Sequence, residues 1–219
     1  EANSNFMLQA YSPCINAGDN TFAPTNESPY DVMGNPRIVA GTVDMGACEF
    51  YPIYVATNGS DAADGLTWAT AKRTLQAAVD VAGAGKAVVA SNGVYSTGGM
   101  TNAGAANRVC LTNGVCLYGA NRANYTTING TNGVRCAYLA DDSRLAGFTL
   151  QYGFIANDGG GAYLENGAIV SDSVIKKNRA AHGGGVQGGT VWSSTLTDNR
   201  SPDGGAAIRS IINHSRLIG

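Results

Sequence analysis

One short stretch of the sequence combines acidic and basic residues in the way that acid–base chemistry requires. Asp141 and Asp142 lie next to Arg144, so the carboxylates could hold a calcium ion while the basic side chain takes a proton from a substrate. Lys176 and Lys177 could also offer a base, but no carboxylate cluster repeats beside them. The alternative for Asp141 and Asp142 is a solvated turn before a strand. Because no concentrated acid–base site results, we expect a protein without catalytic activity, and an acid–base enzyme is the alternative.

A second group of oxygen ligands lies in residues 58–65, which read NGSDAADG. Asp61 and Asp64 could bind calcium there, since Ca²⁺ prefers carboxylate and carbonyl oxygens. The alternative is an Asx turn that leads into a helix. His182 is isolated in the sequence, and its alignment with Asp203 at a turn predicts a position on the surface.

Three tyrosines occur in similar short segments, VCLYG, RCAYL and GAYLE. If their neighbours Leu117, Ala137 and Ala162 face inward, the tyrosines face outward, because side chains alternate along a strand. An exposed aromatic column could stack on sugar rings, and the alternative is a stack that covers the wall of the protein. The predicted carbohydrate-binding residues are Tyr118, Tyr138 and Tyr163.

The chain has five cysteines, whose spacings do not match zinc sites. Cys14 and Cys48 bracket the first part of the chain and are the predicted disulfide, which would close a long loop. Cys116 and Cys136 align in one column on adjacent coils, where a disulfide or two stacked thiols are both possible.

The elements that would position these side chains follow from an internal repeat in the C-terminal third. Residues 168–189 and residues 190–211 contain matching residues at a shift of 21 positions, such as Val170 and Val191. Within each copy, apolar residues alternate over short stretches that end at Gly or Asn, which is the periodicity of strands. A repeat of about 20–25 residues with two or three short strands is typical of one coil of a β-solenoid.

Equivalent residues of such coils stack in columns about 4.8 Å apart. Two columns are apolar and are predicted to face inward, one is a column of serines, and one places asparagines at a turn. The columns are Leu145, Val170, Val191 and Ile212; Leu150, Ile175, Leu196 and Leu217; Ser173, Ser194 and Ser215; and Asn178 with Asn199.

The parts of the chain that precede the repeat differ from it. Residues 71–82 have a helical apolar stripe, with Thr70 as the predicted N-cap and Gly83 as the end. This amphipathic helix is predicted to cap the first coil of a solenoid that runs from about residue 86 to the end of the chain. Residues 1–50 are proline-rich and turn-rich, so the predicted division is a closing module over 1–50 and a capped β-helix over 51–219.

Composition limits the partners. Only 14% of the residues are charged and the net charge is −2, so no basic face for nucleic acid is expected. No apolar run reaches the roughly 18–20 residues needed to cross a bilayer. The first residue is Glu1 and the last residues read as a strand; we expect the chain to be a piece of a longer exported protein.

Three stretches resemble a known family. Residues 53–95, which begin IYVATNGSDAADGLTWATAKRTLQ, resemble the start of pectate-lyase-like right-handed parallel β-helix domains of large exported bacterial proteins. Residues 12–19, SPCINAGD, and 34–49, GNPRIVAGTVDMGACE, resemble the segment that closes such a β-helix. The later Gly-Gly-Ala and Leu-x-x-Asn patterns are similar to those of polymorphic outer-membrane adhesins. The resemblance implies a secreted or cell-surface bacterial protein.

The function that these observations predict is that of a structural or adhesive segment. Leu217 falls in an inward column of the last coil, so that coil would expose an apolar edge. Residues 1–50 of one copy could cover it and give a head-to-tail fibre; the alternative is that more coils follow in the native chain. The other candidate function is a polysaccharide-binding or lyase-type β-helix, and no cofactor is predicted apart from the candidate calcium ion.

Overall fold

The chain divides into two compact units, Glu1–Pro52 and Ile53–Gly219. The computed structural model describes residues 8, 10–22, 29–39, 41–83, 85–102 and 104–219. The sequence predicted a division between residues 50 and 51.

The described residues of the first unit lie mainly in turns, with a short 3₁₀ segment at Asn20–Phe22. Buried carboxylates organise its backbone. Asp31 accepts hydrogen bonds from the backbone N–H groups of Met33, Asn35 and Glu49. Glu49 pairs with Arg37 at 3.0 Å, and burial raises the pKa of this carboxyl group. These bonds satisfy backbone groups that the described residues of this unit do not pair in a sheet.

The second unit contains one described α-helix and seventeen strands. The helix is α1 (Leu75–Ala82). The strands are β1 (Ile53–Val55), β2 (Ala87–Ala90), β3 (Gly93–Tyr95), β4 (Met100–Asn102), β5 (Ala105–Leu111), β6 (Cys116–Gly119), β7 (Thr126–Asn129), β8 (Arg135–Leu139), β9 (Arg144–Ala146), β10 (Thr149–Gln151), β11 (Ala162–Ser171), β12 (Val174–Lys176), β13 (Val186–Trp192), β14 (Thr195–Thr197), β15 (Ala207–Ile208), β16 (Ile211–Asn213) and β17 (Arg216–Ile218).

The strands stack in three parallel ladders that run along the unit. The first ladder joins β1, β2, β6, β9, the end of β11, the end of β13, and β16. The second joins β3, β7, β10, β12, β14 and β17. The third joins β5, β8, the start of β11, the start of β13, and β15. This is a parallel β-solenoid of about 5 turns, which confirms the predicted fold class.

The register of the ladders confirms both predicted apolar columns. Val170 pairs with Leu145 and Val191 in the first ladder, and Leu196 pairs with Ile175 and Leu217 in the second. Except for Ile212 and Leu217 in the last coil, the side chains of both columns are buried in one continuous core. Burial of branched aliphatic side chains on the inside of each coil is the main driving force for this fold.

A column of small polar side chains closes the corner between the first and second ladders. Ser173 N–H donates to Ser194 Oγ, and Ser194 N–H donates to Ser215 Oγ, so each hydroxyl satisfies the backbone of the coil before it. In the coil before Ser173 the equivalent position is occupied by Phe148, whose N–H donates to Ser173 Oγ. The corner bends at a single residue with positive φ, such as Asp172 or Ser193.

An asparagine column has the same role at the corner after the second ladder. Asn178 Oδ1 accepts the N–H of Gly153 at 2.7 Å, and its Nδ2 donates to the carbonyl oxygen of Leu150 and to Asn199 Oδ1, each at 3.0 Å. Asn178 N–H donates to Asn199 Oδ1. The predicted amide stacking at this turn is therefore confirmed, and it pairs buried backbone groups that would otherwise lack partners.

Glycine-rich turns stack on one another where the second ladder leads to the third. The N–H of Gly185 donates to the carbonyl oxygen of Gly205 in the next coil, and the N–H of Gly161 donates to that of Gly184. A Cβ atom at Gly185 would collide with the carbonyl oxygen of Ala206. These turns therefore need glycine because the backbones of neighbouring coils approach each other closely.

The helix caps the first coil, as predicted, but it begins later than the sequence suggested. Its N-cap is Thr74, whose hydroxyl accepts the N–H of Ala77, and it ends at Gly83 with φ 70°. The predicted N-cap Thr70 is wrong, because the hydroxyls of Thr67 and Thr70 bond each other in a turn before the helix.

Gln76 of the helix binds the N–H and C=O of Cys110 and so covers part of the open edge of β5. β4 pairs antiparallel with another part of that edge. The first strand of the third ladder is therefore shielded by a side-chain amide and by a short strand, which removes a site for unwanted strand pairing.

Candidate functional site

The tyrosines that the sequence grouped in one column divide between two ladders. Tyr138 pairs with Tyr163 in the third ladder, and their rings stack with centroids 5.8 Å apart and planes 7° apart. Tyr118 lies in the first ladder, where it pairs with Val89 and Ala146. The predicted alignment is confirmed for Tyr138 and Tyr163 and wrong for Tyr118.

The stacked tyrosines mainly cover the wall of the solenoid, and only part of their ring surface is exposed. Tyr138 is only 8% exposed, its hydroxyl bonds Glu165 Oε1 at 2.9 Å, and burial together with Glu165 raises its pKa to about 12. The guanidinium of Arg135 lies 5.2 Å from the ring centroid of Tyr163. Tyr118 is also buried, so the prediction of an exposed ladder is wrong for two of its three members. Carbohydrate binding by the half-buried Tyr163 stays a prediction.

The carboxylates of the candidate calcium site bind backbone groups instead. Asp61 Oδ1 accepts the N–H groups of Arg73 and Thr74, and Oδ2 accepts the hydroxyl of Thr74. Asp64 Oδ1 accepts the N–H of Leu66 in an Asx turn. Across the part of the chain that the structure describes, no group of three or more His, Cys, Asp or Glu is arranged to hold a metal ion. These contacts favour the turn over the calcium site.

Asp61 should therefore stabilise the start of α1 in a pH-dependent way. Burial would raise its pKa, but the bonds from Thr74 and Arg73 outweigh burial and hold the pKa below its ordinary value of 3.8. Its contribution is present above that value and is lost as the pH falls through the lowered pKa. Asp61→Asn is expected to lower the free energy of unfolding by about 1 kcal/mol at neutral pH.

Urea titrations near pH 7 and near pH 3 measure this effect, and the difference between Asp61→Asn and the parent chain should shrink at the lower pH. Asp172→Asn, at an exposed corner, is the control and should change little at either pH. An equal loss at both pH values would contradict the role of the Asp61 carboxylate.

The acidic and basic groups considered for catalysis have structural partners or lie apart from carboxylate clusters. Asp141 Oδ1 accepts the N–H of Asn166 in the neighbouring coil, which agrees with the alternative of a turn. Lys177 lines a shallow groove of about 490 Å³ together with Arg179 and Arg200. Asp198 is the one carboxylate on that groove among the described residues, so the groove is mainly cationic.

His182 lies in a turn on the surface, as predicted. Its Nδ1 is 3.0 Å from Asp158 Oδ1, and its Nε2 is 3.5 Å from Asp203 Oδ2. Asp158, His182 and Asp203 occupy equivalent positions on three successive coils. The imidazole therefore bridges two carboxylates along the axis of the solenoid and links the coils at this turn.

The five cysteines are all free thiols in the structure. Cys14 and Cys48 are not joined in the structure, although the carbonyl oxygen of Cys14 accepts the N–H of Met45, three residues before Cys48. The disulfide between them stays a prediction. Cys116 lies in the first ladder and Cys136 in the third, so the predicted common column is wrong. Burial raises the pKa of Cys136 to about 12, which makes this thiol unreactive.

A groove that the sequence did not reveal lies beside Trp68. The groove has a volume of about 390 Å³ and is lined by Trp68, Ser91, Asn92, Ala120 and Asn121. Trp68 is 49% exposed. Asn121 Nδ2 donates to Asn92 Oδ1 at 2.9 Å across adjacent coils. The groove therefore combines an exposed aromatic ring with a pair of side-chain amides.

Comparison with known proteins found no family model that matches the chain, and no curated protein or solved structure with significant similarity to it. Within the described residues, no helix is long and apolar enough to span a membrane. The function of the chain is therefore inferred from its sequence and its own geometry.

Proposed function

We propose that the chain is a structural or adhesive segment of an exported protein, and that its solenoid assembles head to tail with further copies. The observation that carries the proposal is the apolar edge that β16 and β17 present, on which a second copy or a further coil of a longer chain can pack. Leu217, in the inward column of the second ladder, is 53% exposed, and Ile211 on β16 is 62% exposed. Apolar side chains beside unpaired strand groups form a surface on which another β-element can pack.

The interior of the solenoid supports a mechanical role. The serine and asparagine columns link each coil to the next through side-chain bonds to the backbone, in addition to the three ladders. Stacked coils that contact only their neighbours form an extended, quasi-one-dimensional body. Such a body suits a spacer or stalk whose length depends on the number of coils.

Sequence resemblances support the proposed location and the proposed mode of assembly. The resemblance to pectate-lyase-like β-helix domains of exported bacterial proteins supports a secreted or cell-surface location. The resemblance of residues 12–19 and 34–49 to a segment that closes such a helix supports a contact between residues 1–50 of one copy and the edge strands of the next. That contact is heterologous, so it would continue as a fibre.

Leu217→Asp is expected to abolish this assembly, because a carboxylate on the apolar edge would have to be buried without a partner. Multi-angle light scattering of the full chain over micromolar concentrations should show species larger than a monomer for the parent and a monomer for Leu217→Asp. Tyr125→Asp is the control, since Tyr125 is 61% exposed in the turn between β6 and β7, two strands that are paired on both sides, and it should leave assembly unchanged.

Deletion of residues 1–50 should also give monomers if this module forms the other half of the contact. The proposed assembly fails if the parent chain is already monomeric, or if Leu217→Asp and the deletion leave the size distribution unchanged.

The second candidate function is polysaccharide binding. The groove beside Trp68 favours it, because exposed aromatic rings and amides together are suited to the apolar faces and the hydroxyl groups of sugars. An adhesive segment with such a groove would attach to a glycan while the solenoid keeps the attachment point at a distance.

A further inference from the structure

We propose that the groove beside Trp68 binds a neutral sugar unit of a polysaccharide. In this proposal the sugar ring stacks on Trp68, and the Asn92–Asn121 amide pair forms hydrogen bonds with adjacent hydroxyl groups of the sugar. This inference rests on the second candidate function and gives it a site and a substrate class.

Trp68 is held in place before any ligand arrives. Its ring packs against Tyr54 with centroids 4.5 Å apart and planes tilted by 50°. The Thr67–Thr70 turn fixes the backbone on either side of Trp68 through hydroxyl and backbone bonds. An ordered aromatic ring loses little conformational entropy on binding, and its face can pack against the apolar C–H face of a pyranose ring.

The amide pair presents both a donor and an acceptor to a ligand. The bond from Asn121 to Asn92 uses one N–H of one amide and one lone pair of the other. Each primary amide has two donor hydrogens and an oxygen with two lone pairs, so the pair keeps further donors and acceptors in either orientation. Adjacent sugar hydroxyls each donate and accept, which matches this arrangement. The register explains the pair: Ala90 of β2 stacks on Gly119 of β6, and both asparagines follow in the next turn.

The charge of the lining indicates a neutral ligand. Trp68, Ser91, Asn92, Ala120 and Asn121 carry no charge, whereas Lys177, Arg179 and Arg200 line the separate groove at the corner after the second ladder. An acidic polysaccharide would find its counter-charges there and not at Trp68. The groove is shallow, with a volume of about 390 Å³, so it suits contact with one face of a sugar unit and does not enclose a ligand.

Tryptophan fluorescence tests the proposal directly, because the chain has two tryptophans. In the Trp192→Phe variant of the full chain, Trp68 is the remaining reporter. Neutral cellohexaose, maltohexaose and mannohexaose are titrated to about 10 mM, the weak limit expected for a shallow single site, and a galacturonic acid hexamer serves as the acidic comparison. We expect a saturable change in emission with at least one neutral probe and none with the acidic one.

Variants of Asn92 and Asn121 test whether the two amides contribute to sugar binding or only lie near the bound sugar. The double variant Asn92→Ala with Asn121→Ala should weaken binding at least tenfold, which corresponds to about 1.4 kcal/mol. Trp68→Ala in the otherwise unchanged chain, followed by calorimetry, should lose binding while its circular dichroism remains that of the parent. Trp192→Ala is the matched control, since Trp192 is also exposed but packs beside His214, and it should leave calorimetric binding intact.

The proposal is overturned if none of the neutral probes gives a saturable response, if only the acidic hexamer binds, or if the double amide variant binds as tightly as the parent. These outcomes are independent of assembly, because the scattering experiment with Leu217→Asp requires no sugar. A chain that assembles without binding sugar would refute this inference and polysaccharide binding while leaving the structural role in place.

Discussion

Asn178→Ala is expected to lower the free energy of unfolding by about 3–5 kcal/mol, because it leaves several buried polar groups without partners at a cost of about 1–3 kcal/mol each. The groups are the N–H of Gly153, the carbonyl oxygen of Leu150 and the amide of Asn199. Asn178 is 1% exposed, so water cannot replace the lost bonds without opening the corner.

Urea unfolding at a fixed protein concentration measures the effect, with Asn124→Ala at an exposed turn as the matched control. The control should change the free energy by less than about 0.5 kcal/mol. If Asn178→Ala also falls within that range, the asparagine column does not hold the coils together.

Leu196→Ala is expected to cost about 2–5 kcal/mol through the loss of apolar contacts and the cavity that remains. Leu196 is fully buried between Ile175 and Leu217 in the second ladder. The ladder bonds fix the distance between coils, so the neighbouring side chains cannot close over the gap. The loss should therefore be larger than at a site that can relax.

The same Leu→Ala change at Leu66, which is 40% exposed in a loop, is the control and should have little effect. A loss of less than about 1 kcal/mol at Leu196 in the denaturant titration would contradict its inward position in the column.

The columns could be predicted from the sequence where the repeat is regular. Ser173 and Ser194 are separated by 21 residues, as are Ser194 and Ser215, and one shift therefore aligned all the columns of the last coils. Earlier coils are longer: Phe148 and Ser173 are 25 residues apart, and Asn92 and Asn121 are 29 apart. Their turns contain extra residues, and the alternation of apolar residues in the strands does not show how many.

Tyr118 shows why the earlier coils were misaligned. Each coil contains three short strands with the same alternation of apolar residues, so a segment from one ladder can resemble a segment from another. The segments around Tyr118 and Tyr138 belong to β6 and β8, which are the first and third strands of the same coil. The same error placed Cys116 and Cys136 in one column.

Features that depend on loops could not be predicted from the strand pattern. Thr70 and Thr74 are both plausible N-caps, and the choice depends on Asp61, which binds the N–H of Thr74 from a turn well before it in the chain. The groove at Trp68 depends on how a loop packs on two coils. The one available signal was the Asn in the turn after each of β2 and β6.

Deuterium exchange at the edge strands tests the proposed head-to-tail assembly most directly. Half of the backbone N–H groups of an edge strand point away from its partner, and a second copy would cover them. Head-to-tail assembly predicts that peptides containing β16 and β17 gain protection as the concentration rises from about 1 to about 100 μM, while β14 stays protected throughout. Exchange of β16 and β17 at the same rate across this range, with β14 protected, would contradict the proposed assembly.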